Sequence, residues 1–524
     1  MTTRSYSMLR SPFSQVAARL VAQTTAARSS TALAAFVAMV SATLIACGGG
    51  GAVGGNGTGA NVGNATGTVS GFGSIIVDGV RFDDSQVAAS IERSAADSAA
   101  GGVRAETKLG QQVVFSFSGD VEGSGVVKSM RIEPRYIGPV ANKLAGEFTV
   151  LGQRILINNI AANGPVTIVD ESSGAVFASG VFVEVHAVDS PLGLIATRVE
   201  VLNTQPGLRV SGLVSNYSQV GSADATFVVG GVQVQLPRTG VTVSPSTRDL
   251  VNGAYAAVFA AKDGFTAGSP LVASRVRVST RTEARLDDYV GGVVANLNET
   301  AKTFSLGNLT VTNYDTANNT GTSTLANGKQ VRVRGVLQSD GVTLRATKYQ
   351  VREQEELGEL HGNVLNLTAV DADTSTFTMR DVLVTKNAQT VLDFTRCGAV
   401  NALANDQYVE VKGVPDATGG ITARSIKCES ASSSGVTGVT VEVEGNVNVV
   451  APGNTATEGS FTLLVNGTDV VTVKYNALTF FLRGLETGLD IKQDTTIKLD
   501  VEGIRNVVGT STEIVATKIK PEKD

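Results

Sequence analysis

The chain has no tryptophan, two histidines and three cysteines in 524 residues, and aromatic residues make up 5% of it. Each shortage removes a class of function. Nucleophilic relays of the Ser/His/Asp or Cys/His kind need a histidine. The two present, His186 and His361, have no partner at any motif spacing. His186 shares its side of an alternating segment with Phe182 and Glu184, opposite Val181, Val183 and Val185, and is expected to face solvent; His361, at a strand start beside Gly362, reads as a surface histidine. No metal or cofactor is implied, because two histidines with Cys397 and Cys428 match no zinc-ligand spacing. Asp371-Ala372-Asp373 opens like a calcium loop, but Thr376 replaces the required glycine and Val382 the closing glutamate. Charge of one sign is also scarce. With 43 Lys+Arg against 48 Asp+Glu, the net charge of −5 leaves no basic footprint for nucleic acid. No catalytic carboxylate pair separates itself from the solvated strand faces.

Glycine is abundant, at 58 residues, and it marks a repeat. Ile75, Phe148, Phe227, Phe304, Phe377 and Leu463 each have an apolar residue two positions on: Val77, Val150, Val229, Leu306, Met379 and Val465. Four positions on stand the turn formers Gly79, Gly152, Gly231, Asn308, Asp381 and Gly467. Apolar residues return at Phe82, Ile155, Val234, Val311, Val384 and Val470. A strand, tight turn and strand recurring every 73 to 86 residues or so predicts an array of small β units. Later in each unit come an alternating strand (Val183/Val185 in the second) and a closing pair (Ala196/Val199). About five strands per unit predict an all-β tandem array of six small five-stranded OB-like barrels, closed to remove exposed edges. The units are 67–135, 138–202, 209–279, 290–352, 358–429 and 441–520. Their variable spacing favours independent beads over a continuous stack. Only Asp84 to Ala100 has mixed helical and turn character.

Residues 1–46 read as an export signal. Arg4, Arg10, Arg19 and Arg28 precede the apolar run Ala32 to Ala46, which is too short to span a bilayer comfortably. The run ends in Leu44-Ile45-Ala46-Cys47, which resembles a bacterial lipobox and implies a diacylated Cys47. Gly48 after it suggests, by resemblance to the sorting rule, an outer-membrane lipoprotein facing the periplasm or the cell surface. Residues 47–66 form a Gly/Asn-rich tether. Cys397 and Cys428 fall in one unit and, in an exported protein, read as a structural disulfide.

Three segments resemble one family: Gly67-Thr68-Val69-Ser70-Gly71-Phe72-Gly73-Ser74-Ile75-Ile76-Val77-Asp78-Gly79-Val80-Arg81-Phe82, then Gly180-Val181-Phe182-Val183-Glu184-Val185, and Ile195-Ala196-Thr197-Arg198-Val199. They are similar to the repeats of bacterial domain-of-unknown-function family 5666, most closely in the first two units. The resemblance implies a β-barrel repeat in an exported lipoprotein, and no activity.

One charged position recurs: Arg131, Arg198, Arg275, Lys348 and Lys518, with Arg424 one place early in the fifth unit. A cation on the outer face of a last strand blocks edge-to-edge pairing; the alternative is a ladder for an anionic envelope polymer. The chain as a whole reads as a non-catalytic, lipid-anchored envelope protein, a spacer or a binding module for an envelope protein or polymer. A hydrolase with an unidentified carboxylate pair is the enzymatic alternative. A grouped acidic pair in a deep pocket would favour the enzyme.

Overall fold

The computed structural model of the protein describes residues 62–119, 125–279, 288–321, 323–352, 358–397, 402–430, 438, 440–465, 469–482, 484–508 and 511–521. The expected export signal, Cys47 and most of the tether lie outside the described residues. The first strand, Val62–Phe72, begins five residues before the expected boundary at Gly67.

In five repeats the signature strands meet across a two-residue turn: Val77 pairs with Val80, Val150 with Gln153, Val229 with Val232, Leu306 with Leu309 and Met379 with Val382. Such turns match strand twist when both central residues have positive φ. Asp78 and Gly79 have φ of 47° and 75°, and Arg380 and Asp381 have 51° and 61°. The sixth repeat departs from this. There Val465 pairs with Asp469, so the loop is one residue longer. A slip of one residue reverses every side chain. Val470, expected inside, is 55% exposed, and Val471 and Val473 are buried in its place.

Within a repeat the first strand pairs with the second and the fourth, and the third runs parallel to the fifth. Asp288–Asn298 pairs in this way with Thr303–Leu306 and Gln330–Leu337, and Leu309–Thr312 with Thr343–Val351. The expected row of six separately closed barrels is nevertheless overturned, because pairing does not stop at the repeat boundaries. Strands of repeats 1, 4 and 5 lie in one 20-stranded sheet and those of repeats 2 and 3 in a 13-stranded sheet; repeat 6 has six strands of its own. The chain is all-β, built as stacked, sheet-sharing coils of strand. Pairing with a neighbour satisfies backbone groups that the sequence reading had closed within each unit. Ala65 and Thr66 run parallel to Tyr289 and Val290, and Gly71 and Phe72 run parallel to Glu359 and Leu360. At Gly71 a Cβ would lie 1.7 Å from the Glu359 carbonyl oxygen, so only glycine permits this approach.

Repeats 2 and 3 also share one apolar core, containing Phe148, Val185, Phe227 and Val276. In repeat 5 a disulfide joins Cys397 to Cys428, 31 positions apart in sequence and with Cα atoms 6.0 Å apart. In the chain-entropy account a loop of that length contributes about 3–4 kcal/mol.

Repeat 1 is the hub. Its segment of mixed helix and turn holds the short helix Ala95–Ala99, capped reciprocally by Ser94 and Asp97. From this segment Arg93 reaches Glu184 in repeat 2 (2.6 Å) and Glu92 meets Arg277 of repeat 3 (2.5 Å). Arg104 donates to the Ala477 carbonyl of repeat 6 at 2.8 Å. No helix among the described residues is long and apolar enough to cross a membrane.

Candidate functional site

The outward faces of the strands make the joints between repeats, and the charged residues lie there. On Phe182–Ser190, Val183 and Val185 point inward, as alternation requires. Glu184 and His186 point outward but are both fully buried, because repeat 1 covers that face. Solvent exposure of His186 was the wrong expectation. The Gln112 N–H donates to His186 Nδ1 at 3.0 Å, which leaves the ring proton on Nε2, 2.9 Å from Glu184 Oε1. The other Glu184 oxygen accepts from Arg93 Nε at 2.6 Å. Burial alone would raise the Glu184 carboxyl; His186 and Arg93 hold it well below its ordinary value.

His361 repeats the arrangement in repeat 5. It is 7% exposed and lies between Glu359 (2.9 Å) and Glu429 (3.3 Å). Burial opposes its charge, but the two carboxylates raise its pKa above the ordinary histidine value. It too is a joint residue and not a surface one, packed where a Cβ on Gly73 would touch its own Cβ at 2.6 Å. Glu359, His361 and Glu410 offer ligand atoms within 4.8 Å of one another. Lys412 Nζ, 2.9 Å from Glu410 Oε1, already supplies a cation there, so the cluster is complete as an ion-pair network.

Three of the six recurrent cations are likewise in joints. Arg198, 5% exposed, donates to the Leu109 carbonyl of repeat 1 at 3.1 Å and pairs with Asp170. Arg275 donates to Ser98 Oγ at 3.1 Å. Lys518 pairs with Glu106 of repeat 1 and with Asp381 of repeat 5 at 3.2 Å. Among the six, Arg424 is exposed and Arg131 and Lys348 are half-buried. Asp371 is a turn residue: its Oδ1 accepts from the Asp373 and Thr374 N–H groups at 2.9 and 2.7 Å.

Where repeats 1, 2, 5 and 6 meet, they enclose a cleft of about 680 Å³. Its charged lining carries both signs, with Asp84, Glu106 and Glu502 as well as Arg198, Arg380 and Lys518. Arg380, at the tip of the repeat 5 hairpin, is 6% exposed; its Nη1 donates to Glu502 Oε1 at 2.5 Å and its Nε to the His361 carbonyl at 2.6 Å. The remaining nitrogen, Nη2, is buried without a hydrogen-bond partner. Asp84 accepts from the Ile75 N–H at 3.1 Å, and burial, aided by the Glu502 charge, pushes its pKa up to about 6. The arrangement is suited to holding a polar ligand carrying both signs of charge.

Of the cleft's charged groups, the sequence singled out only Arg198 and Lys518, as members of the recurrent cation position; Asp84, Glu106, Arg380 and Glu502 were not read as a site. One signal was present. Both histidines follow a glutamate by two positions, in Glu184-Val185-His186 and Glu359-Leu360-His361, the spacing that puts both side chains on one face of a strand.

Three segments, residues 137–200, 291–348 and 366–427, match the family described as domain of unknown function (DUF5666). These fall in repeats 2, 4 and 5; the strong resemblance expected for repeat 1 has no counterpart among them. No curated protein matches the chain. Among solved structures, drosophila Unr CSD456 aligns with 44% of this chain and 96% of its own, at 13% identity and a TM-score of 0.12, too low to establish a shared fold.

Proposed function

We propose that this chain, which carries tandem repeats of the domain of unknown function DUF5666, is a non-catalytic binding protein of the cell envelope, held to a membrane by lipid on Cys47. The lipobox-like Leu44-Ile45-Ala46-Cys47 supports the anchor, and the Cys397–Cys428 disulfide suits an oxidising compartment. The observation that carries binding over spacing is the convergence of four repeats on the 680 Å³ cleft. A spacer gains reach from beads in line, whereas these repeats gather around the first. A pocket of this size with charge of both signs fits a zwitterionic ligand, a peptide or an amino-bearing saccharide.

Photo-crosslinking in living cells tests this reading. A photoreactive residue at Ser172 or Gln86, both exposed at the cleft, is expected to capture a discrete adduct that the same probe at Asp263, exposed and outside it, does not. Cys47→Ala is expected to abolish fatty-acid labelling. Equal capture at all three positions, or labelling that survives the mutation, would refute the proposal.

Asp84 favours a second reading. A carboxyl raised to about 6 beside the ionised Glu502 is the pattern of an acid paired with a carboxylate. Turnover of envelope glycan that Asp84→Asn abolishes would establish the hydrolase in place of the binder.

A further inference from the structure

The charges that line the central cleft differ in what they can offer a ligand. Of the ten charged side chains described in that lining, nine stand in an ion pair with another protein group, among them Arg198 with Asp170, Arg380 with Glu502 and Lys518 with Glu106. A charge already paired at contact distance has little left for a ligand. Asp84 is the exception, because among the described residues no cation lies in contact with it. Its position follows from the chain just before it. The hairpin of Ile75–Val77 and Val80–Phe82 ends two residues earlier, and Asp84 turns back so that Oδ1 accepts from the Ile75 N–H at 3.1 Å. That bond fixes the carboxyl and leaves Oδ2 without a partner among the described residues, on a half-buried side chain in the cleft wall. Burial raises the Asp84 pKa to about 6; from a distance Arg380 of repeat 5 lowers it and Glu502 of repeat 6 raises it. At neutral pH the group is therefore mostly an anion, half-buried and without a counter-ion in contact.

Building on the binding reading of the cleft, we infer that its ligand carries a primary ammonium group, received by Asp84, on an alkyl stem such as that of a lysine side chain. An anion partly out of water and unpaired is costly, and a cation brought by a ligand removes that cost. With Oδ1 engaged by Ile75, the carboxyl is poorly matched to the two parallel bonds of a guanidinium fork, whereas an ammonium is a compact point charge that needs one oxygen. Val87, Leu478 and Leu482 are half-buried in the same lining and give apolar cover to a stem of methylenes.

Calorimetric titration of the full chain with a blocked tripeptide, acetyl-Ala-Lys-Ala-amide, tests this. The controls are the same peptide with norleucine, which keeps the stem and removes the charge, the same peptide with arginine, and glucosamine. The lysine peptide is expected to bind at neutral pH, and the norleucine peptide to bind about tenfold more weakly or less. Affinity for the lysine peptide is expected to fall as pH drops through about 6, where the carboxyl takes up a proton. Asp84→Asn keeps an oxygen for the Ile75 N–H; it is expected to cost about tenfold in affinity and to flatten the pH profile, which loss of a purely structural group would not do. If that variant does not fold, the norleucine comparison and the wild-type pH profile decide. Equal binding of the lysine and norleucine peptides, or unchanged affinity in folded Asp84→Asn, overturns the ammonium site. Arginine binding as tightly as lysine overturns the one-oxygen geometry, and glucosamine binding as tightly overturns the alkyl stem. Adducts captured at Ser172 and Gln86 by a protein indifferent to the lysine peptide overturn the ammonium and leave the cleft a binding site.

Discussion

Two joints of this molecule are built from the same kinds of side chain and balanced differently. Where repeat 1 meets repeat 2, the cations Arg93, Lys108 and Arg198 face the carboxylates Asp170, Glu184 and Glu200. Where repeats 5 and 6 meet, among the described residues Arg380, Lys518 and Lys520 face five carboxylates: Asp381, Glu442, Asp500 and Glu502, with Glu106 from repeat 1. In the first joint Asp170 and Glu184 are held well below their ordinary values, against burial, by the cations beside them and, for Glu184, by His186. In the second, Arg380 and Lys518 hold Glu502 down and the lysines hold Asp381 down, while burial first, and then neighbouring carboxylate charge, raises Glu442 and Asp500. Burying charge glues two sheets together only when the count balances. Otherwise the joint stores a proton.

The largest effect is expected from breaking the balanced joint. Arg198→Met removes a guanidinium that serves Asp170 and the Leu109 carbonyl, while Lys108 stays 3.1 Å from Asp170. A loss of about 3 kcal/mol in urea unfolding is expected, the low end for an orphaned buried pair. A loss under about 1 kcal/mol would mean that the joint is worth no more than a surface salt bridge.

Glu442 gives the next largest effect, and its sign is opposite to that of Glu184. Burial first, then the Asp500 and Glu502 charges, raise the Glu442 carboxyl to about 8 from an ordinary 4.5. The folded state therefore holds a proton that the unfolded chain releases, and stability is lost as pH rises from about 4.5 through about 8. Glu184 is depressed, so the stability it contributes is present above about 4.5 and is lost as pH falls below that. Hydrogen-exchange protection of Phe182–Ser190 is thus expected to fall in acid, and that of Thr440–Val450 to fall toward pH 8.5. Glu442→Gln, whose amide oxygen still accepts the Arg380 N–H, is expected to stabilise by about 1–2 kcal/mol at pH 8.5 and little at pH 5. Parallel pH responses of the two strands would remove the distinction between the joints.

The interior of each repeat was legible and the joints were not, for one physical reason. Period-two alternation says which face is apolar, and Phe148, Phe227, Phe304 and Phe377 are buried as it requires. It says nothing of what covers the polar face. Glu184 and His186 read as solvated because alternation cannot distinguish water from a neighbouring sheet of charged residues. The closed-bead picture failed at the same point, since each unit holds its pairings but shares its outer strands. Val470 failed by the length of one turn, which no apolar pattern records.

The smallest effect should come from Arg424, and it tests how far the joints extend. Arg424 occupies, one place early, the position that Arg198 and Lys518 fill in their repeats, and on sequence the three read alike. Its register explains the difference. In Ile421–Ser430 the side chains of Ala423, Ile426 and Cys428 are buried, and Arg424 is exposed. No sheet is laid over it, so its charge is solvated and screened. Arg424→Gln is therefore expected to leave the urea midpoint where it was, while Arg198→Met at the equivalent strand moves it strongly. If Arg424→Gln instead destabilised repeat 5 as much as Arg198→Met destabilises repeat 2, an ion pair on that face would have to exist, and the contrast between covered and uncovered cations would collapse. If Arg424→Gln left stability alone but made the protein associate, the cation would be guarding the outer face of its strand, as the sequence reading supposed for all six.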